Sequence, residues 1–232
     1  MNPEDDNGAR TRALERIRSS YRTFENGRSD RWQGTDPGSR LVQAERDAWL
    51  LTELRAYSPE RVVDIGSGDG FVARMLDEHV RRPDYFGIDL LPERVALARR
   101  LTPWGRFEEG SADQLPLPDG WANAVVALTV FSSIPDPQLR LEIAREVDRV
   151  TAADGVVLVY DLRYPSPWNG LVQPIRRAEL ARLFPGWQIE SHSITLLPPL
   201  ARTPLAAGAR RYGAWRSIGV LRSHRASVIK RP

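Results

Sequence analysis

Residues 61–71 read RVVDIGSGDGF, a short strand-like run that passes straight into three glycines at alternating positions. Glycine loses more backbone entropy on folding than any other residue, so three in one turn belong where the chain must bend sharply and leave space beside it. Gly66, Gly68 and Gly70 therefore mark a point of close ligand approach, and Asp64 and Asp69 place two carboxylates around it.

Outward from this turn the pattern alternates. RVVDI (61–65) is a short buried strand, FVARMLDEHV (71–80) a helix, YFGIDL (85–90) a strand, and PERVALARRL (92–101) a helix with proline in its first turn. A short strand near RFEEG, a turn at LPLPDG and the apolar strand ANAVVALTV (122–130) come after it. The helix PQLRLEIAREVDRV (137–150), the strand GVVLVYDL (155–162) and the short helix RRAELARLF (176–184) come next. WQIESHSITLL (187–197) and RASVIKR (225–231) close the chain as strands across a proline- and arginine-bearing segment. Before the glycine turn, residues 9–24 carry Leu14, Ile17, Tyr21 and Phe24 at helical spacing, residues 25–39 are rich in turn formers, and residues 41–57 form a second amphipathic helix. Strands alternating with helices predict an α/β fold, doubly wound, with a mostly parallel seven-stranded sheet and an antiparallel edge. Residues 1–57 are expected to form an N-terminal helical cover and residues 58–232 the ligand-binding domain, with the ligand beyond the carboxyl ends of the strands.

The chain of 232 residues is 41% hydrophobic and 27% charged, which suits a globular domain with a full core. Net charge is +3 with a sequence pI near 9.6, compatible with anionic partners, but no concentrated basic, aromatic-interleaved stretch points to nucleic acid. The absence of cysteine excludes disulfides, thiolate metal sites and cysteine nucleophiles. No apolar run approaches the roughly 20 residues of a membrane span, and the opening MNPEDDNGARTR has no apolar core of a secretory signal. A cytoplasmic protein with no membrane partner is expected.

A dinucleotide site requires G-x-G-x-x-G opening a helix. Here the third glycine comes one residue early, and carboxylates at Asp64 and Asp69 oppose a pyrophosphate, which seeks bare amides at a helix N-terminus. They suit a ligand bearing an ammonium or sulfonium. Asp89 ends the second strand 23 residues after Gly66, where a carboxylate can accept both hydroxyls of a ribose.

At this point the chain resembles the class I S-adenosylmethionine-dependent methyltransferases. VVDIGSGDG is similar to their glycine motif, GIDL to their ribose-binding acidic motif, EEGSADQLPLPDGWANAVVALTVF to the adenine-contacting loop and fourth strand, and REVDRVTAADGVVLVYDL to the helix, turn and fifth strand. The resemblance spans about Leu54 to Leu162. It implies that S-adenosyl-L-methionine is the cofactor and that Gly66, Ser67, Gly68 and Gly70 admit its methionine end, with Asp64 near the ammonium through backbone or water. It further implies that Asp89 and Leu90 meet the ribose side, Ala112 and Asp113 the adenine, and that Thr129, Val130 and Phe131 close over the cofactor. Ser111 departs from the pattern, because many relatives carry Asp there; the adenine amino group then rests on Asp113.

The residues after the fourth strand narrow the acceptor chemistry. TVFSSIPDP lacks the Asx-Pro-Pro-aromatic turn of adenine and glutamine N-methyltransferases, and no cysteine serves pyrimidine C5 methylation. The several carboxylates of magnesium-dependent relatives are reduced to Asp161, and no metal is expected. The flanking segments resemble a bacterial group associated with polysaccharide and specialised-metabolite clusters, which implies biosynthetic O-methylation of a small molecule or glycan. N-methylation of a small amine and nucleic-acid modification are the alternatives. Asp161, His192 and Tyr164 are the candidate catalytic residues, ahead of His224 and His79; a histidine titrates in the useful range but is more often structural. Arg163, Arg176, Arg177 and Arg202 gather near the same rim as candidate anion ligands, and Trp32, Trp168 and Tyr164 offer stacking faces.

Overall fold

The computed structural model describes residues 8, 10–22, 36–166, 170–206 and 208–232. Trp32 and Trp168, with the turn-rich stretch before residue 36, lie outside the described residues. Helix α1 (10–22) precedes α2 (Pro37–Tyr57), β1 (Arg61–Ile65), α3 (Phe71–His79), β2 (Asp84–Asp89), α4 (Pro92–Leu101) and β3 (Arg106–Glu109). Then come β4 (Ala122–Leu128), α5 (Pro137–Val150), β5 (Thr151–Leu162), α6 (Arg177–Leu183), β6 (Gln188–Leu196), α7 (Pro198–Ala201), α8 (Ala209–Arg216) and β7 (Arg222–Lys230). The sheet order is β3-β2-β1-β4-β5-β7-β6. Strands β1 to β5 pair in parallel, and β7 enters antiparallel between β5 and β6, which makes the mixed edge.

Alternation along the strands divides the core between the two faces of the sheet. Val63, Ile65 and Val125 face α5 and Ile17 of α1, whereas Val62, Val126 and Leu158 face Trp49, Leu50 and Leu54 of α2. The two helices of the expected cover part company: α1 lies on one face of the sheet and α2 forms part of the core layer on the other.

Two boundaries differ from the sequence reading for local reasons. Helix α2 starts four residues early because Asp36 is its N-cap, accepting from Ser39 N at 2.8 Å, and Pro37 takes the first helical position. Strand β5 starts at Thr151 instead of Gly155: Thr151 is buried, pairs with Ala122 across a register shift, and its Oγ1 donates to Val147 O at 2.5 Å. The segment between β6 and β7 folds into α7, α8 and two 3-10 turns around a small core of Leu196, Ala201, Ala206 and Tyr212. It is locked to α2 by Tyr212, whose hydroxyl donates to Glu45 Oε2 at 2.8 Å and accepts from Leu196 N at 3.0 Å.

Gly38 carries the closest contact in that seam. A Cβ there would stand 2.0 Å from the carbonyl oxygen of Ala201, a backbone atom that cannot swing aside. Gly38→Ala is expected to destabilise the protein by about 1–3 kcal/mol or more through overpacking, read as a lower denaturation midpoint. An unchanged midpoint would show that α7 can move away freely.

Candidate cofactor site

A cavity of about 180 Å³ lies at the carboxyl ends of β1, β2 and β4, lined by Gly66, Asp89, Ala112 and Thr129 among others. It far exceeds the water-sized voids tolerated in packed cores, so it is a site and not a packing defect. The glycine turn forms its floor. Gly66 and Gly68 have φ of +67° and +54°, in the left-handed region that favours glycine, and a Cβ on Gly66 would lie 2.8 Å from Val130 Cγ2. The carboxylate of Asp89 bridges the turn to the end of β2: Oδ2 accepts from Gly68 N and Oδ1 from Leu91 N, both at 2.9 Å. An ionised carboxylate offers about four acceptor positions, so two amides do not exhaust it for hydroxyl donors.

The opposite wall comes from the end of β4. Thr129 adopts φ +57°, an unfavourable conformation for a β-branched residue, held by its N–H to Tyr160 O at 2.7 Å and its carbonyl to Ser133 Oγ at 2.6 Å. Val130 lines the cavity, and Phe131 opens a 3-10 turn with its ring fully buried. Leu90 and Ala112 also line the cavity, with Ser111 between Gly110 and Ala112. Asp113 stands just behind: one carboxylate oxygen pairs with Arg10, and Oδ1 is buried with no partner. Such an orphaned acceptor beside the wall fits a ligand that brings an N–H donor. Glycines at positive φ, a carboxylate at the end of β2 and an orphaned acceptor together fit an adenosyl group with a methionine tail.

Helix α1 roofs the cavity, as part of the expected N-terminal cover, although none of its side chains stood among the expected site residues. Leu14, Ile17, Arg18 and Tyr21 face the cavity. Tyr21 donates its hydroxyl to Ser133 Oγ at 2.6 Å, and Arg18 Nε reaches Leu90 O at 3.2 Å. The 3- and 4-residue spacing showed an apolar stripe, but no local signal told which surface the stripe would cover. Arg94 of α4, also at the wall, was likewise missed.

Other expected residues sit elsewhere. Asp64 and Asp69 do not project into the cavity: Asp64 is buried on the α2 and α3 side of β1, accepting from Tyr85 Oη at 2.6 Å, and Asp69 pairs with Arg74 at 3.1 Å. Ser67 is buried in the turn with its N–H on Ile88 O, and Gly70 caps α3.

The three candidate catalytic residues are also placed away from the cavity wall. Asp161 is buried behind the 3-10 turn, where Ser132 N donates to both its oxygens at 3.1 and 3.2 Å and Leu162 N adds a third bond. His192 lies exposed on the edge strand β6, three strand spacings from β4, about 14 Å away. Tyr164 donates to Val220 O at 2.9 Å. His224 is buried and stacked on Tyr160 at 4.5 Å, and desolvation pushes its pKa down to about 3, so it is a neutral hydrogen-bonding group. Among the arginines, Arg163 donates to Gly219 O and Arg222 O, Arg177 to Ile189 O, and Arg202 pairs with Asp36.

Burial pushes the carboxyl of Asp64 up to about 7 and that of Asp161 up to about 6, against hydrogen bonds that favour the charged form. Each folded-state pKa lies above the unfolded value near 3.8, so the native state binds more protons in between, and stability from these groups declines as pH rises. The decline runs from about pH 4 to about pH 6 for Asp161 and to about pH 7 for Asp64, then levels off. Asp161→Asn keeps an oxygen for the amides and removes the ionisation. It is expected to gain about 3 kcal/mol relative to the parent between pH 4 and 6. Denaturation at a series of pH values checks this, and a pH-independent difference would show that Asp161 ionises as easily folded as unfolded.

The chain matches the model of a methyltransferase domain over residues 63–159. It is 31% identical over 156 residues to a demethylmenaquinone methyltransferase of Deinococcus radiodurans, covering 66% of this chain and 60% of that protein. It is also 31% identical to the chloroplastic 2-methyl-6-phytyl-1,4-hydroquinone methyltransferase of Arabidopsis thaliana, covering 57% of this chain and 39% of that one. The chain thus spans 60% or less of the length of these two relatives. The crystal structure of the YcgJ protein of Bacillus subtilis superposes with a TM-score of 0.57 at 18% identity, covering 80% of this chain and 98% of that one, which speaks for the fold alone. Motif order, sheet topology, cavity and the match of residues 63–159 to a methyltransferase domain agree in their likeness to the class I S-adenosylmethionine-dependent methyltransferases.

Proposed function

We propose that the chain transfers a methyl group from S-adenosyl-L-methionine to a ring carbon of a small aromatic acceptor of the hydroquinone type: the hydroxyl makes that carbon electron-rich, the C–CH3 bond forms as the S–CH3 bond breaks, S-adenosylhomocysteine leaves, and the ring proton passes to solvent. The observation that carries this reading is the apolar stretch of the cavity wall under α1, where Leu14, Ile17, Ile134, Leu139 and Ile143 lie together apart from the polar side at Asp89, Arg94 and Ser111. Two relatives named for quinone-type acceptors support it. So does the placement of Asp161 behind a turn and of His192 on the outer edge: a ring carbon activated by its own hydroxyl can lose its proton to solvent and calls on neither. A glycan acceptor is less well matched, because a sugar needs a wall rich in hydrogen-bonding groups.

When bound, the cofactor supplies a methyl already activated by its sulfonium. The chain's own residues hold and shield. In this reading Asp89 accepts from the ribose hydroxyls while anchoring the glycine turn, and the backbone at Gly66 and Gly68 borders the methionine end. Leu90 lies on the ribose side and Ala112 flanks the adenine, with Asp113 Oδ1 as acceptor for its amino group. Thr129, Val130 and the Tyr21–Ser133 pair border the opposite wall, and α1 excludes water and fixes the acceptor's approach, which lowers the barrier by orientation. We assign the role of cover to α1 alone.

Asp89→Ala removes two charge-assisted bonds to ribose, each worth about 1.5–3 kcal/mol, and releases Gly68 N and Leu91 N. Cofactor affinity measured by calorimetry should fall tens-fold or more; an unchanged affinity would remove Asp89 from the site. Acceptor class is checked by methyl transfer to a short-chain demethylated naphthohydroquinone, a nucleotide sugar and a primary amine in parallel. The hydroquinone should be turned over fastest, with Asp161→Asn and His192→Ala within a few-fold of the parent. Turnover of only the sugar or the amine, or a loss of about a hundredfold or more in Asp161→Asn, would overturn the reading.

A further inference from the structure

Residues 197–221, inserted between β6 and β7, leave the sheet at the carboxyl edge, the edge that also carries the cavity. Four large apolar side chains are exposed among the described residues, and three of them belong to this insert: Leu205 at 64%, Ile218 at 45% and Val220 at 66%. Hydrogen bonds hold the backbone of each in place. Trp215 Nε1 donates to Leu205 O, Ile218 N to Trp215 O, and Tyr164 Oη to Val220 O, at 2.9 to 3.1 Å. The insert is firmly seated, since Arg216 and Tyr212 both bond to Glu45 of α2 at 2.8 Å. Its apolar tips are therefore held outward by a built scaffold.

Charge separates along the chain in the same place. No acidic residue comes after Glu190, whereas eight arginines and lysines do, so residues 191–232 carry +8 and residues 1–190 carry −5. Arg210 and Arg211 of α8 are exposed, and neither is paired with an acidic side chain among the described residues. Apolar side chains beside unneutralised arginines match the interface of an anionic bilayer, where buried apolar area and attraction to headgroups act together.

We propose that the β6–β7 insert docks the protein onto anionic lipid bilayers through Leu205, Ile218 and Val220, with Arg210 and Arg211 on the headgroups. A second copy fits less well, because a two-fold contact would set this cationic surface against itself. Nucleic acid fits less well too, because Leu, Ile and Val add nothing at a phosphate backbone. No helix among the described residues is long and apolar enough to span a membrane, but interfacial docking needs none. The sequence-level expectation of no membrane partner, drawn from the lack of a span, does not bear on this mode.

The test is co-sedimentation of the full chain with vesicles of phosphatidylglycerol and phosphatidylcholine in equal parts, and with phosphatidylcholine alone. Partition to the anionic vesicles should be stronger by about tenfold or more and should weaken with salt, since each arginine at the surface contributes about fivefold. Leu205→Glu with Val220→Glu, and separately Arg210→Glu with Arg211→Glu, should each lower it about tenfold or more, with cofactor affinity unchanged as the control for folding. Leu101→Glu, at the fourth exposed apolar residue, should leave partition as it was. Equal partition to the two vesicles by the unaltered chain overturns the proposal, whatever the variants do. So does full binding by both double variants, an equal loss in Leu101→Glu, self-association through the insert without vesicle binding, or tighter binding to duplex DNA than to vesicles.

Discussion

The carboxylate of Asp89 holds the end of β2 and the turn after β1 in one piece. Through Gly68 N and Leu91 N it fixes the glycine turn at positive φ, where the backbone can border a ligand because no side chain stands in the way. Remove that bridge and two amides lose their acceptor, the turn loses its reference to the next strand, and the cavity loses its floor. In the proposed function the same group accepts from ribose, so structural anchoring and ligand recognition fall on one side chain.

A similar economy governs the other buried carboxylates. Asp161 organises the 3-10 turn after β4 through Ser132, and Asp64 receives the hydroxyl of Tyr85; both sit where burial disfavours their charge. Perturbed carboxyls near a cavity invite a catalytic reading. Here each is explained by the backbone or ring it positions. His224 does the same on the other face, stacked on Tyr160 and bonded to Thr195 and Ser223.

Two additions to the sheet give this chain its character. Helix α1 roofs the cavity with an apolar stripe and pins itself to three walls through Arg10, Arg18 and Tyr21. The β6–β7 insert, locked onto α2 by Glu45, carries exposed apolar and cationic side chains on the same edge of the sheet. A roofed cavity and the proposed bilayer-docking patch both suit the proposed acceptor, which partitions out of water.

Local signals in the sequence determined the fold class, the succession of strands and helices, and the glycine turn with Asp89. Each of these is written in short-range periodicity, in proline and glycine positions, and in the spacing of one carboxylate from one turn. The start of α2 was also written there, in Asp36 and Pro37, but was hidden by the turn-forming residues around it. Tertiary structure alone decided which way the remaining polar groups point. Alternation along β1 turns Asp64 away from the cavity toward Tyr85, and the path of the chain after β4 sets Ser132 against Asp161 instead of a substrate. Tyr21 reaches Ser133 across 112 positions of sequence, a contact that depends on how α1 lies on the sheet. No pattern confined to neighbouring residues encodes such a contact, because it is set by the packing of two surfaces that meet only after the chain has folded.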